Sequence, residues 1–131
     1  MAYVGESFSI DMRQLNQLLA FGGVRAAKAL GQSLYREGAQ AFAASQREVP
    51  VDTGILKNSG ILSRPFLDGT DLVVEISYGG AAADYALTVH EDLNARHNEG
   101  QKAKYLEDPV KRQVNGMGDR LLADVRRGLG I

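Results

Sequence analysis

Three groupings of residue types in this sequence could do chemistry. The first is Asp52-Thr53-Gly54. Two such aspartates, one from each of two copies, would share a proton and activate water for peptide hydrolysis. In that chemistry the triplet follows an apolar strand. Here a long helical pattern and Pro50 precede it, and Ile55-Leu56-Lys57 follows. The same residues also make a turn, in which Asp52 and Thr53 bridge or cap backbone groups and Gly54 supplies an unusual dihedral. The second grouping is His90-Glu91 with His97, and Asp84, Asp92 and Glu99 as further oxygen donors. A helical zinc site needs two histidines four apart with a glutamate between them. These two stand seven apart, a spacing that departs from that pattern and suits two polar loop histidines, one of them paired with a carboxylate. The third grouping is Lys102, Lys104, Lys111 and Arg112, with Arg120 further on, around Tyr105. Glu99, Glu107 and Asp108 balance it, as on a solvated face. Gly22-Gly23 and Gly79-Gly80 lack the lysine and flanking glycines of a phosphate loop. The serines have no nucleophile-elbow context.

The totals narrow the setting for these groups. The 131 residues suit a single domain, residues 1–131. Hydrophobic residues make up 44 % and the formal net charge is -1. That balance is not one that coats nucleic acid or lies on an anionic membrane. The absence of cysteine excludes a disulfide framework, a thiolate zinc site and a cysteine nucleophile. No apolar run approaches the roughly 20 residues of a membrane helix. Residues 1–9 lack the basic and apolar blocks of a secretory signal. No cofactor is expected.

The elements follow from periodicity and punctuation. Residues 1–9 mix Gly, Ser and single apolars and are expected to be an arm. Residues 11–20 carry Leu15, Leu18 and Leu19 at helical spacing, with Ser9 or Asp11 as cap, before Gly22-Gly23 interrupts the pattern. Ala27, Leu30, Leu34, Ala41, Phe42 and Ser45 then make one stripe of a long helix over 24–48. Its many small residues imply close approach to another backbone, and Pro50 ends it. A hairpin is expected over 60–78, with the Asp68-Gly69 turn and the β-branched run from Leu72 to Tyr78. A short helix over 81–91 and a long polar loop over 92–104 come next. Such a loop, with few apolar side chains, is expected to order only against a partner. Asp108 and Pro109 suit the start of a last helix, with Val110, Val114, Met117, Leu121, Val125 and Leu129 as its continuous buried stripe.

Two stretches together carry a resemblance. Residues 48–59 read Glu-Val-Pro-Val-Asp-Thr-Gly-Ile-Leu-Lys-Asn-Ser after a long helix. Tyr85-Ala86 with Val89-His90-Glu91 follows, then His97, Gly100-Gln101, Lys104-Tyr105-Leu106-Glu107 and Pro109. This order resembles the neck and tail-completion (minor tail component, head–tail joining) proteins of long-tailed bacteriophages. The resemblance spans about residues 48–110 in ordered pieces, with compatible helices on both sides. It implies a non-catalytic virion component at the head–tail junction, in the host cytoplasm before assembly. It also implies a homo-oligomeric ring, on the order of six or twelve copies, in contact with neighbouring neck and tail proteins. Passive contact with DNA in the channel is left open, and no membrane is involved.

The expectation is thus an α+β fold. An antiparallel sheet with a central hairpin is packed by a long N-terminal helix and a C-terminal helix. The expected work lies in contacts between subunits. The candidates are Phe66 and Asp68 at the hairpin, and His90, Glu91, Arg96, His97, Lys102 and Tyr105 around the polar loop. The alternatives are a retroviral-type aspartic protease using Asp52 and a small metal-binding module.

Overall fold

Strand β4, Asp71–Tyr78, is the axis of the sheet. Its Val73-Val74 pair and Ile76 favour extended backbone. The computed structural model describes residues 4–11, 16–49, 54–79 and 105–131, with residue 4 and residues 16–22 as backbone alone. Strand β1, Val4–Asp11, runs antiparallel to β4 from Val4↔Tyr78 to Asp11↔Asp71. On the other side of β4 lie β2, Ile61–Leu62, and β3, Phe66–Asp68, both antiparallel to it. The hairpin expected from Asp68-Gly69 is therefore present, and Gly69 takes φ 63° at its turn. The chain is α+β, as its sequence implied.

Between β2 and β3 the register slips. Leu62 faces Ile76, but Phe66 faces Val73. Ser63, Arg64 and Pro65 thus oppose only Val74 and Glu75, one residue too many, which is the definition of a bulge. Ser63 fixes it from both ends. Its N–H donates to the Glu75 carbonyl at 2.8 Å, and its hydroxyl accepts from the Glu75 N–H at 2.8 Å.

Residues 4–9, expected as a free arm, belong to β1, and Asp11 ends that strand rather than capping a helix. The reason is pairing. Glu6, Phe8 and Ile10 lie beside Ile76, Val74 and Leu72, so they share the face that carries the core. The glycine and serines between them weaken the strand signal in the sequence, and the neighbouring strand overrides it.

Helix α1, Asn16–Glu48, crosses that face. It passes through the glycine pair with a kink. Gly23, at φ 55° and ψ -130°, leaves helical geometry there. Beyond the kink Ala26, Leu30, Leu34, Ala41 and Ser45 are buried, while Ala27 and Phe42 are half-buried. The small residues do what they promised. A Cβ on Gly38 would lie 2.7 Å from Val74 Cγ1 and 3.2 Å from Leu62 Cδ1, so only glycine lets the helix sit this close.

The C-terminal stripe is broken where one helix was expected. Helix α3, Glu107–Val114, and helix α4, Met117–Leu129, meet at Asn115-Gly116, where Gly116 takes φ 74°. The turn rotates the stripe. Val110, Leu121 and Val125 are buried, Met117 is half-buried, and Val114 is 51 % exposed rather than core. The N-cap is Leu106, not Asp108. Glu107 and Asp108 instead stand in the first turn, where negative charge suits the helix dipole. Phe8, Leu34, Val74, Ile76, Tyr78, Tyr105, Leu121 and Val125 are part of one core shared by the sheet and the helices.

Candidate functional site

The segment that joins α1 to the sheet carries the resemblance, and its described residues form a built joint. Val49 is buried at its start. Gly54 takes φ 80° and opens α2, Ile55–Asn58. Leu56 turns into the core. Ser59 ends the turn: its hydroxyl donates to the Leu56 carbonyl at 2.7 Å and accepts from the Gly79 N–H at 3.2 Å. Gln46 of α1 reaches across, its amide donating to the Lys57 carbonyl at 3.1 Å and to the Tyr78 hydroxyl at 2.9 Å. Gly60 is pinned beneath it. A Cβ there would meet Gln46 Nε2 at 2.5 Å and the rings of Phe42 and Tyr78 at 2.9 Å.

Tyr78 is the hub of this joint. Its hydroxyl also lies 2.8 Å from Ser45 Oγ. Its ring meets Tyr105 edge-on, with centroids 5.1 Å apart. Burial pushes the Tyr78 phenol up to about 12, against the opposing pull of its bonds to Ser45 and Gln46. Burial likewise raises Tyr105, and the neighbouring Tyr78 adds to it. Tyr105, expected at the edge of a subunit contact, is 0 % exposed. The aromatic ring belongs to the core, because Tyr78 and Leu106 offer it apolar cover that solvent does not.

A second construction joins α1 to the C-terminal helices. Arg120 donates from Nε and Nη2 to Glu37 Oε1 at 2.9 and 2.6 Å. The same guanidinium donates to the carbonyls of Asn115 and Gln113 at 2.8 and 2.6 Å, so it also holds the α3–α4 corner. Asp124 accepts from the Ser33 hydroxyl at 2.7 Å and lies 3.6 Å from Arg36. Arg112 bonds Glu48 at 2.8 Å, and Gln113 bonds Gln40 at 2.9 Å. Sequence reading missed Glu37. Its signal was a carboxylate between Leu34 and Ala41, at helical steps of three and four inside the apolar stripe.

The third region is the outer edge of β2 and β3. Phe66 and Leu67 are 42 % and 67 % exposed, Ile61 is 62 % exposed, and Asp68 is exposed beside them. Phe66 and Asp68, two of the expected contact residues, therefore stand on the surface. Arg64 and Pro65 of the bulge line an open groove of about 620 Å³ against Gly31, Gln32, Tyr35 and Arg36 of α1. Asp52, His90, Glu91, Arg96, His97 and Lys102 lie outside the described residues, as do the short helix over 81–91 and the loop over 92–104. Among the described residues there is no group of three or more His, Cys, Asp or Glu arranged to hold a metal ion, and no helix long and apolar enough to cross a membrane. The chain matches no family model, no curated protein and no solved structure.

Proposed function

We propose that this chain is a structural subunit of a ring at a phage head–tail junction, working through its interfaces rather than through catalysis. The observation that supports this reading is the joint. Val49, Gly54, Leu56 and Ser59 fall in the segment that resembles the neck and tail-completion proteins, and each has a mechanical role in linking α1 to the sheet. A segment that serves to fix a helix against a sheet needs no reacting group. The order of long helix, hairpin and C-terminal helical region adds to it, although the single last helix that was expected is divided at Asn115-Gly116. Exposed apolar side chains on the β2–β3 edge, and Val24, Leu122 and Ile131 elsewhere, offer separate patches. A closed ring requires two such different patches on each copy.

Native mass spectrometry and negative-stain microscopy of the purified chain test the proposal. The expected result is a closed ring of on the order of six or twelve copies. Peptide hydrolysis that disappears in Asp52→Asn would overturn it in favour of the protease reading.

A further inference from the structure

Strand β3 and its bulge read Arg64-Pro65-Phe66-Leu67-Asp68, a base and an acid flanking three apolar residues. Such a strand is complementary to itself when reversed. We propose that this edge is an interface for a second copy of the chain, the two β3 strands pairing antiparallel about a twofold axis at Phe66. The proposal shares self-association with the ring reading but does not require a ring.

Four observations converge on that register. Among the described residues the sheet ends at β2 and β3, whose only strand partner is β4. An edge with exposed apolar side chains is a template for another strand. With Phe66 opposite itself, Asp68 stands opposite Arg64 of the second copy, twice over. Neither charge has a carboxylate or guanidinium partner among the described residues of its own subunit. Leu67 lies beside Leu72 in β4 and so projects on the helix side of the sheet. A twofold axis normal to the sheet keeps that side common to both copies. Leu67 of the second copy, opposite Pro65, then enters the groove between Pro65 and α1, floored by Gly31 and walled by Tyr35. Phe66 lies beside Val73 on the opposite face, where it meets Phe66 of the second copy at the axis. One register thus fills the groove, covers both exposed apolar side chains and sets each charge at a position facing its opposite. Pro65 gives the ladder only a carbonyl, which keeps the pairing short.

The cysteine-free sequence makes the axis testable with a single substitution. Facing residues on an antiparallel pair have Cα atoms about 4.5–5.5 Å apart, which is within disulfide reach. Phe66→Cys under diamide should give a covalent dimer, whereas Ser7→Cys on the opposite edge strand should not. In sedimentation of the cysteine-free protein, Arg64→Asp or Asp68→Arg alone should weaken the dimer at least about tenfold. The two reversals in one chain should restore it to within about threefold. Circular dichroism confirms that each variant is folded. Failure of Phe66→Cys to cross-link above the Ser7→Cys level overturns this contact, as does a double reversal no tighter than the singles. Rings seen in a protein that does not cross-link leave the ring reading standing and remove this one. Cross-linked pairs from a protein that forms no ring do the reverse.

Discussion

Helix α1 makes two contacts of opposite kinds. Against the sheet it presents glycine and hydrocarbon, with one closed hydroxyl network at Ser45, Gln46 and Tyr78. Against α3 and α4 it presents a polar row of Ser33, Arg36, Glu37, Gln40 and Glu48 around the apolar centre formed by Leu121 and Val125. The first contact is fixed by shape, and a methyl group is enough to violate it. The second combines its apolar centre with two buried polar side chains, Ser33 and Glu37, and carries more exposed pairs such as Arg112–Glu48 at its rim, which water and salt weaken. The difference shows why the joint keeps one geometry, while in the helical contact only the exposed rim depends on the medium.

The comparison breaks most sharply at the apolar centre of the helical contact. Leu121→Ala should cost about 2–5 kcal/mol in urea unfolding, since Leu121 is core. A loss under about half a kcal/mol would mean that the polar row alone holds the helices. On the sheet side, Gly60→Ala should cost about 1–3 kcal/mol, because the new methyl group collides with Gln46 and two rings. A neutral result would show that this joint is looser than its distances imply.

Tyr78→Phe should cost about 1–2 kcal/mol by leaving Ser45 and Gln46 short of a partner. It has an alkaline signature as well. The folded Tyr78 phenol titrates above its ordinary value of 10.0, at about 12. Burial thus favours the neutral form. The associated stability is complete below about pH 10 and is lost as pH rises towards about 12. Tyr105 shifts in the same direction. Unfolding midpoints measured across that window should fall less steeply in Tyr78→Phe than in the parent. The smallest effect belongs to the rim. Arg112→Met should cost less than about 1 kcal/mol, and half-molar salt should erase most of it. A larger, salt-independent loss would make the two contacts of α1 alike after all.

The sequence was most legible where one element decides its own structure. The stripe of α1, the Asp68-Gly69 turn and the β-branched run of β4 all act locally, and each appears where the pattern put it. Residues 4–9 were misjudged because their strand exists only by leaning on β4. Val114 was misjudged because a period of 3.6 counts through Asn115-Gly116 as if the axis were straight. For the site, Phe66 and Asp68 were found as exposed turn neighbours. Tyr105 was misassigned because aromatic residues beside charged ones read alike at a contact and in a core. Arg64 and the groove were invisible, since a bulge is a property of two strands compared, not of either one alone.

Gly38 carries a consequence for heredity. Its missing side chain and Val74 Cγ1 occupy one volume between them. A change at either position alone is penalised, but Gly38→Ala made together with Val74→Ala moves carbon across the contact instead of adding it. The two sites, thirty-six residues apart in the chain, are free to drift only as a pair. Any lineage of this fold that gains a methyl group on the helix at that level must surrender bulk from the strand beneath it.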